Sequence, residues 1–144
     1  MRSRLPFTLA VIPLLLALYG CDSSGMKYAP VTGKVTMDGK PLAKVSVVFS
    51  PLPKPGSDIA GNTAGGVTDE NGQYTLKTST PDGGLKDGAQ VGKHKVRISL
   101  QETRGEGDRS VTREKLPKKY NEQTTLTADV TAGGPPIDFP LTSR

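Results

Sequence analysis

The sequence predicts an all-β domain of seven short strands behind an apolar N-terminal segment. After Cys21, apolar and polar residues alternate with a period of two, and no segment there keeps the 3.6-residue period of an amphipathic helix. Turn-forming residues separate the alternating segments, and the chain contains 17 Gly and 12 Pro among 144 residues. This length suits one ordinary domain. Short strands joined by such turns favour a β-sandwich.

The first four strands are predicted in two pairs. Alternation over 31–37 predicts the first strand and alternation over 45–50 the second, with Asp38–Pro41 as turn chemistry between them. We expect these two strands to form an antiparallel hairpin. Asn71-Gly72 lies between the β-prone segments 66–68 and 73–78 and predicts a second hairpin.

The second half of the chain predicts three further strands. Alternating apolar residues mark 96–100 as the fifth, 126–130 as the sixth and 137–141 as the seventh. The segment 116–120 is expected to be a short extended piece. Three stretches are predicted as loops because they are rich in Gly, Pro or charge, and they cover 51–63, 79–92 and 101–115.

Residues 1–20 are predicted to form a helical signal peptide that directs export of the chain. Arg2 and Arg4 give a positive start, and an almost wholly apolar block follows from Phe7 to Tyr19. That block is shorter than the roughly 20 residues a membrane-spanning helix needs, and Pro13 interrupts it. The alternative, a buried core helix, would need an amphipathic face, and this block is apolar all round.

Cys21 is the only cysteine of the chain and follows the apolar block directly. The run Leu18-Tyr19-Gly20-Cys21 resembles the lipobox of bacterial lipoproteins. That resemblance implies cleavage before Cys21, a thioether from its sulfur to a diacylglycerol, and attachment to the membrane through the lipid. A reactive free thiol and a buried cysteine are the alternatives, and neither explains why the cysteine falls at this position.

The sequence therefore divides into three predicted segments. Residues 1–20 are the lipoprotein signal peptide, 21–29 a flexible polar tether, and 30–144 the β domain. The protein is expected on the periplasmic or cell-surface side of a membrane. The choice of membrane and leaflet stays open.

Three segments together resemble the carboxypeptidase regulatory-like, or transthyretin-like, β-sandwich family. They are Val31–Phe49, Thr68–Tyr74 and Gly92–Val96, with His94 in a position that this family gives to an aromatic residue. The resemblance covers about 31–100. It implies a seven-stranded Greek-key sandwich and a largely non-catalytic role as an accessory, adhesive or scaffolding module.

Charge and composition argue against several function classes. Without residues 1–20 the chain keeps 17 basic and 14 acidic residues, so its net charge is +3, and it has no Trp. This mild, dispersed excess is unlike the clustered charge and aromatics of a nucleic-acid surface, so no nucleic-acid partner is expected. His94 is the only histidine, and we expect it at a half-buried strand position. One histidine gives little basis for a metal centre or a triad, so no cofactor and no enzyme activity are expected.

The residues therefore lead to two main functional hypotheses. The first is a lipid-anchored, non-enzymatic envelope module with a structural or protein-interaction role, which would use the three loops as contact surfaces. The alternative is a lipoprotein that binds a small ligand or carbohydrate at its surface. The expected partners are the membrane, through the lipid on Cys21, and an envelope protein or a glycan. Asp69–Gly72 is expected to form a β-turn rather than a calcium loop.

Overall fold

A computed structural model describes residues 26–53, 56, 61–105 and 110–144. The described chain is all-β with antiparallel sheets, as predicted, and its one short helical turn is the 3₁₀ turn Lys118–Tyr120. No helix in these ranges is long and apolar enough to cross a bilayer. The strands are β1 (Tyr28–Ala29), β2 (Thr32–Met37), β3 (Lys40–Pro41), β4 (Ser46–Pro51), β5 (Ala64–Val67), β6 (Gln73–Thr75), β7 (Lys77–Ser79), β8 (Leu85–Asp87), β9 (Ala89–Gln90), β10 (Gly92–Ser99), β11 (Gln101–Arg104), β12 (Val111–Glu114), β13 (Thr127–Val130) and β14 (Phe139–Leu141).

The main sheet has six strands in the order β13-β10-β4-β5-β7-β8. Its central antiparallel pair places Val96 opposite Phe49 and Ile98 opposite Val47. All four side chains are fully buried. Lys93, Lys95 and Arg97 alternate with the buried residues of β10 and face solvent, because successive side chains in a strand point to opposite faces. The alternation that predicted the fifth strand is therefore confirmed in β10.

A smaller sheet is built around β2, which pairs with β14, β3 and β6. The β14–β2 pair is parallel, with Phe139 beside Val35, whereas β3 and β6 run antiparallel to β2. Strand β14 confirms the seventh predicted strand, and β13 confirms the sixth.

The predicted hairpin between the first two strands is wrong. Strand β2 belongs to the small sheet, whereas β4 pairs with β10 and β5 in the main sheet. Thr68 holds the connecting segment between them: its hydroxyl accepts from the N–H of Val45 and donates to the carbonyl of Leu42. These bonds fix the point where the chain passes from one sheet to the other, and this bends β4 away from β2.

The second predicted hairpin is right in its turn and in its antiparallel pairing of β5 with β7, but its return segment is divided between two strands. Asp69 and Gly72 form the expected turn. The segment 73–78 then divides at Leu76, so that β6 joins β2 and β7 joins β5. Leu76 is fully buried, and its N–H donates to the carbonyl of Val31 at 3.0 Å. Tyr74, Leu76 and Thr78 are all buried, so the period of two continues through the division and only the pairing partner changes.

Two of the predicted loops contain strands, so those predictions are wrong. The range 79–92 includes β8 and β9, and 101–115 includes the antiparallel pair β11–β12. Every residue of β8 is exposed, and no residue of β11 or β12 is fully buried. Such strands lack the apolar alternation that marks a half-buried strand. In the first predicted loop, 52–53 and 61–63 form no strand, and most of the remainder lies outside the described residues.

Two shorter predictions are also corrected. Tyr28 and Ala29 pair with Gln90 and Ala89, so the last two residues of the expected tether 21–29 belong to the fold. The segment 116–120 was expected to be extended, but it closes as the 3₁₀ turn. Leu116, two residues before the turn, and Tyr120, its last residue, are both buried.

The two sheets share one core. Phe49 of the main sheet lies 6.5 Å from Tyr74 and 6.1 Å from Phe139 of the small sheet, measured between ring centroids. Aromatic pairs at such distances stabilise by about 0.5–1.5 kcal/mol beyond their buried area. This aromatic cluster ties the two sheets together.

The domain has two opposite ends along the direction of β10. At the N-terminal end, β1 enters, β10 begins, and β4 and β13 finish. At the opposite end, which we name the hairpin end, β10 finishes and leads directly into β11 and β12. The described chain therefore enters at one end and presents its separate two-stranded sheet at the other.

Candidate functional site

The β11–β12 hairpin is a two-stranded sheet that pairs with no other described strand. Alternate positions place Glu102, Arg104, Val111, Arg113 and Lys115 around one concavity of about 190 Å³. This face carries three cations and one carboxylate. Val111 lies beside them and is 66% exposed. The arrangement suits a partner that offers both negative charge and apolar surface.

Glu102 organises the positive charges of this face. Its carboxylate lies 2.7 Å from the Lys115 ammonium and 3.2 Å from the Arg104 guanidinium. Hydrogen bonds from Lys115 and then Arg104 hold the pKa of Glu102 below its ordinary value. Exposed ion pairs of this kind stabilise a fold by about 1 kcal/mol or less, so they contribute little to the stability of the domain.

The base of the hairpin is fixed by Glu114. One of its carboxylate oxygens accepts hydrogen bonds from the backbone N–H groups of Leu100, Lys115 and Leu116, at 2.9, 3.0 and 2.9 Å. Leu116 is buried in the core. Because charge-assisted bonds to backbone donors are among the stronger ones in proteins, this carboxylate joins the hairpin firmly to the domain.

A second feature is a polar groove of about 700 Å³ along β2 and β6, and Lys34, Asp69, Gln73 and Asp138 are among its lining residues. The backbone N–H of Lys34 donates to the Asp138 carboxylate at 2.8 Å. Sequence reasoning missed this groove, because its two walls come from positions more than 100 residues apart. No local pattern could have joined them.

The aromatic ring nearest the groove is committed to the core. Tyr74 is 3% exposed, its ring stacks on Phe139 at 6.4 Å, and its hydroxyl donates to the carbonyl of Ile137 at 2.6 Å. Burial, and then the charge of Asp138, raise the pKa of Tyr74 well above its ordinary value. Gly33 lies beneath this contact, where a Cβ would overlap the Ile137 carbonyl oxygen.

His94 occupies a strand, as predicted, but its burial is greater than expected. It lies on β10 with 1% exposure and its ring 5.7 Å from Phe49. Its Nδ1 pairs with the carbonyl of Gly92 at 2.9 Å, whereas Nε2 has no partner among the described residues. Burial lowers the pKa of His94, against the opposing effects of the Gly92 carbonyl and the Asp129 charge. A group so deeply buried cannot touch a substrate at the surface.

Asp69 confirms the expected turn. One of its carboxylate oxygens accepts from the N–H of Asn71 and of Gln73, both at 2.9 Å, which is an Asx-type turn. In the described ranges there is no group of three or more His, Cys, Asp or Glu side chains that could hold a metal ion.

The predicted lipidation site lies outside the described residues. Leu18, Tyr19, Gly20 and Cys21 all precede Met26, where the description begins, so their role stays a prediction. No protein-family model, no curated protein and no solved structure matches the chain. The resemblance to carboxypeptidase regulatory-like domains also stays a prediction from the motifs.

Proposed function

We propose that the protein is a lipid-anchored, non-enzymatic module of the bacterial envelope that presents its β11–β12 hairpin to a partner protein. The observation that carries this proposal is the separation of the two ends. The chain that leads from Cys21 enters at the N-terminal end, and the charged hairpin lies at the other. A partner in the aqueous space would meet the hairpin first.

The anchor is the lipid on Cys21, made after removal of residues 1–20. Each buried CH₂ of an acyl chain contributes about 0.8 kcal/mol, so one chain holds a protein marginally and two or three hold it stably. A diacylglycerol thioether meets that requirement with one sulfur.

For the fold, we propose a Greek-key β-sandwich of the transthyretin-like type. Two sheets that share an aromatic core support it, with Phe49 on one side and Phe139 on the other. The parallel pairing of β14 with β2 gives the small sheet its closing strand.

The non-enzymatic part of the proposal is supported by the position of the chain's one histidine. General bases must reach the proton they abstract, and His94 is enclosed between Phe49 and the backbone of Gly92. The exposed carboxylate of Glu102 is already paired with two cations.

Metabolic labelling with an alkyne fatty acid tests the anchor. The wild-type chain should carry the label and partition into detergent, whereas Cys21→Ser should carry none and remain full length. Label retained on Cys21→Ser, or absent from the wild type, would overturn the proposal.

Cross-linking in native membranes tests the role of the hairpin. The double variant Arg104→Ala/Arg113→Ala should lose most of the cross-linked partner. A matched control, Lys95→Ala/Arg97→Ala, removes the same charge from exposed positions of β10 and should keep it. Equal recovery from both variants would exclude the hairpin face as the contact.

The groove along β2 and β6 favours a second candidate, a surface site for a small polar ligand or a carbohydrate. Its polar lining supports hydrogen bonding, but Tyr74 offers no free face for a sugar ring. A glycan array probed with wild type and Lys34→Ala decides the matter. Binding that Lys34→Ala abolishes would support this candidate, and silence across the array would remove it.

A further inference from the structure

Exposed apolar side chains gather at the N-terminal end of the domain. Five large apolar residues of the described chain are exposed, and three of them lie at this end: Met26 at 39%, Leu52 at 43% and Leu85 at 70%. Single exposed apolar residues are ordinary, but three at one end of a small domain define a candidate contact surface.

Strand register places these three residues at the same end of the domain, where β5 and β7 lie between β4, which Leu52 follows, and β8, which contains Leu85. The N–H of Leu52 donates to the carbonyl of Lys93 at the start of β10. The carbonyl of Lys27 accepts from the N–H of Val91, just before β10, and this brings Met26 to the same level. In the main sheet, Leu85 pairs with Ser79 at the end of β7 that lies on this side.

Three exposed lysines surround the apolar residues: Lys27, Lys86 and Lys93. The Lys86 ammonium lies 4.6 Å from the centroid of the half-buried Tyr28 ring. Apolar side chains flanked by lysines and a tyrosine are typical of proteins that rest in the headgroup region. There the apolar groups meet the acyl boundary and the ammonium groups meet phosphate.

The covalent chain decides which surface this end can reach. Met26 is the fifth residue after Cys21, and a fully extended chain spans at most about 3.6 Å per residue. With Cys21 lipidated, Met26 lies within about 18 Å of the membrane surface. The N-terminal end is therefore the part of the domain that the anchor holds nearest to lipid.

We infer that the N-terminal end, defined by Met26, Leu52, Leu85 and their flanking lysines, is a second membrane contact that rests on the bilayer surface. The inference rests on the proposed lipid anchor and adds an orientation to it. The domain stands with its N-terminal end on the headgroups and its hairpin end directed into the aqueous space.

The absence of Trp from the sequence makes the inference directly measurable. Leu85→Trp places one fluorophore at the N-terminal end, and Val111→Trp places one at the hairpin end. The two positions are matched controls, because the native side chains are 70% and 66% exposed. The acylated mature variants are reconstituted into vesicles of phosphatidylethanolamine and phosphatidylglycerol that contain brominated lipid.

Leu85→Trp should be quenched by the brominated lipid at least twofold more strongly than Val111→Trp, and its emission should shift to the blue. Acrylamide should quench the two in the opposite order. Leu52→Trp, a second variant directly after β4, should behave like Leu85→Trp. Equal quenching of all three variants would overturn the inference.

Intact mass of the same samples separates this inference from the anchor on which it rests. Acylated protein with equal quenching at both ends would overturn the orientation and leave the anchor standing. Protein recovered without acyl chains would overturn both. Circular dichroism of each variant confirms that the exposed substitutions leave the fold unchanged.

Discussion

The two ends of this domain differ in what they expose. The hairpin end carries charged side chains on a separate two-stranded sheet. There Arg104, Arg113 and Lys115 lie around Glu102, which forms ion pairs with Arg104 and Lys115. The N-terminal end exposes the apolar side chains of Leu52 and Leu85, with Lys86 and Lys93 beside them. The proposed lipid anchor would place the first of these surfaces in water and the second against lipid.

The ends also differ in how they are held. The hairpin is attached through one carboxylate, Glu114, and three backbone donors. The N-terminal end is held by pairing of β1 with β9 and by the long register of β10 against β4. Local bonds therefore fix the hairpin, whereas the sheet itself fixes the other end.

The largest expected effect comes from the core that both ends share. Phe49→Ala removes the ring that contacts Tyr74, His94 and Phe139. We expect a loss of about 3–5 kcal/mol in the free energy of unfolding, measured by urea denaturation. Val111→Ala, at an exposed position, should change it by less than about 0.5 kcal/mol. A small effect of Phe49→Ala would mean that the ends fold independently.

A smaller and more local effect is expected at the hairpin. Glu114→Ala leaves the backbone N–H groups of Leu100 and Leu116 without their acceptor, at a cost of about 1–3 kcal/mol, whereas the Lys115 N–H keeps the Leu100 carbonyl. Amide hydrogen exchange should accelerate at Leu100 and Leu116 and stay unchanged at Val96. Uniform acceleration across the domain would show that the hairpin is not a separable unit.

The smallest effect is a pH dependence that begins at the N-terminal end of β10. Burial lowers the pKa of His94 in the fold, so the unfolded chain binds the proton more readily. Stability is then complete above the unfolded pKa of about 6.5 and falls as the pH drops below it. Urea midpoints measured from pH 7.5 to 5 should decline for the wild type and stay flatter for His94→Phe. Parallel curves would assign the decline to other groups.

Alternation and turn chemistry predicted the all-β class because they report which face of a strand is buried. They found β10, β13 and β14, whose inward residues include Ile98, Val130 and Leu141. They missed β8, β11 and β12, which bury no large apolar side chain, so no period of two appears there. These local patterns could not predict which strands pair. The place of β4 in the main sheet depends on the hydrogen bond from the Val45 N–H to Thr68, and these two residues are 23 positions apart.

The candidate sites also divide into those that a local sequence pattern predicts and those that join residues far apart in the chain. Cys21 was predicted from its position after the apolar block, whereas the groove at Lys34 and Asp138 joins residues 104 positions apart. The hairpin face was expected only as a loop, because its alternation is one of charge rather than of hydrophobicity. A charged period of two is the signal that would have identified it.

The parallel pairing of β14 with β2 sets a limit on how early the fold can close. Phe139 lies beside Val35, so about 100 residues must be synthesised after β2 before its neighbour exists. Until then one edge of the small sheet offers free backbone groups, and contacts of such long sequence separation form slowly. While the chain is incomplete, this edge is therefore a place where strands of other chains can add.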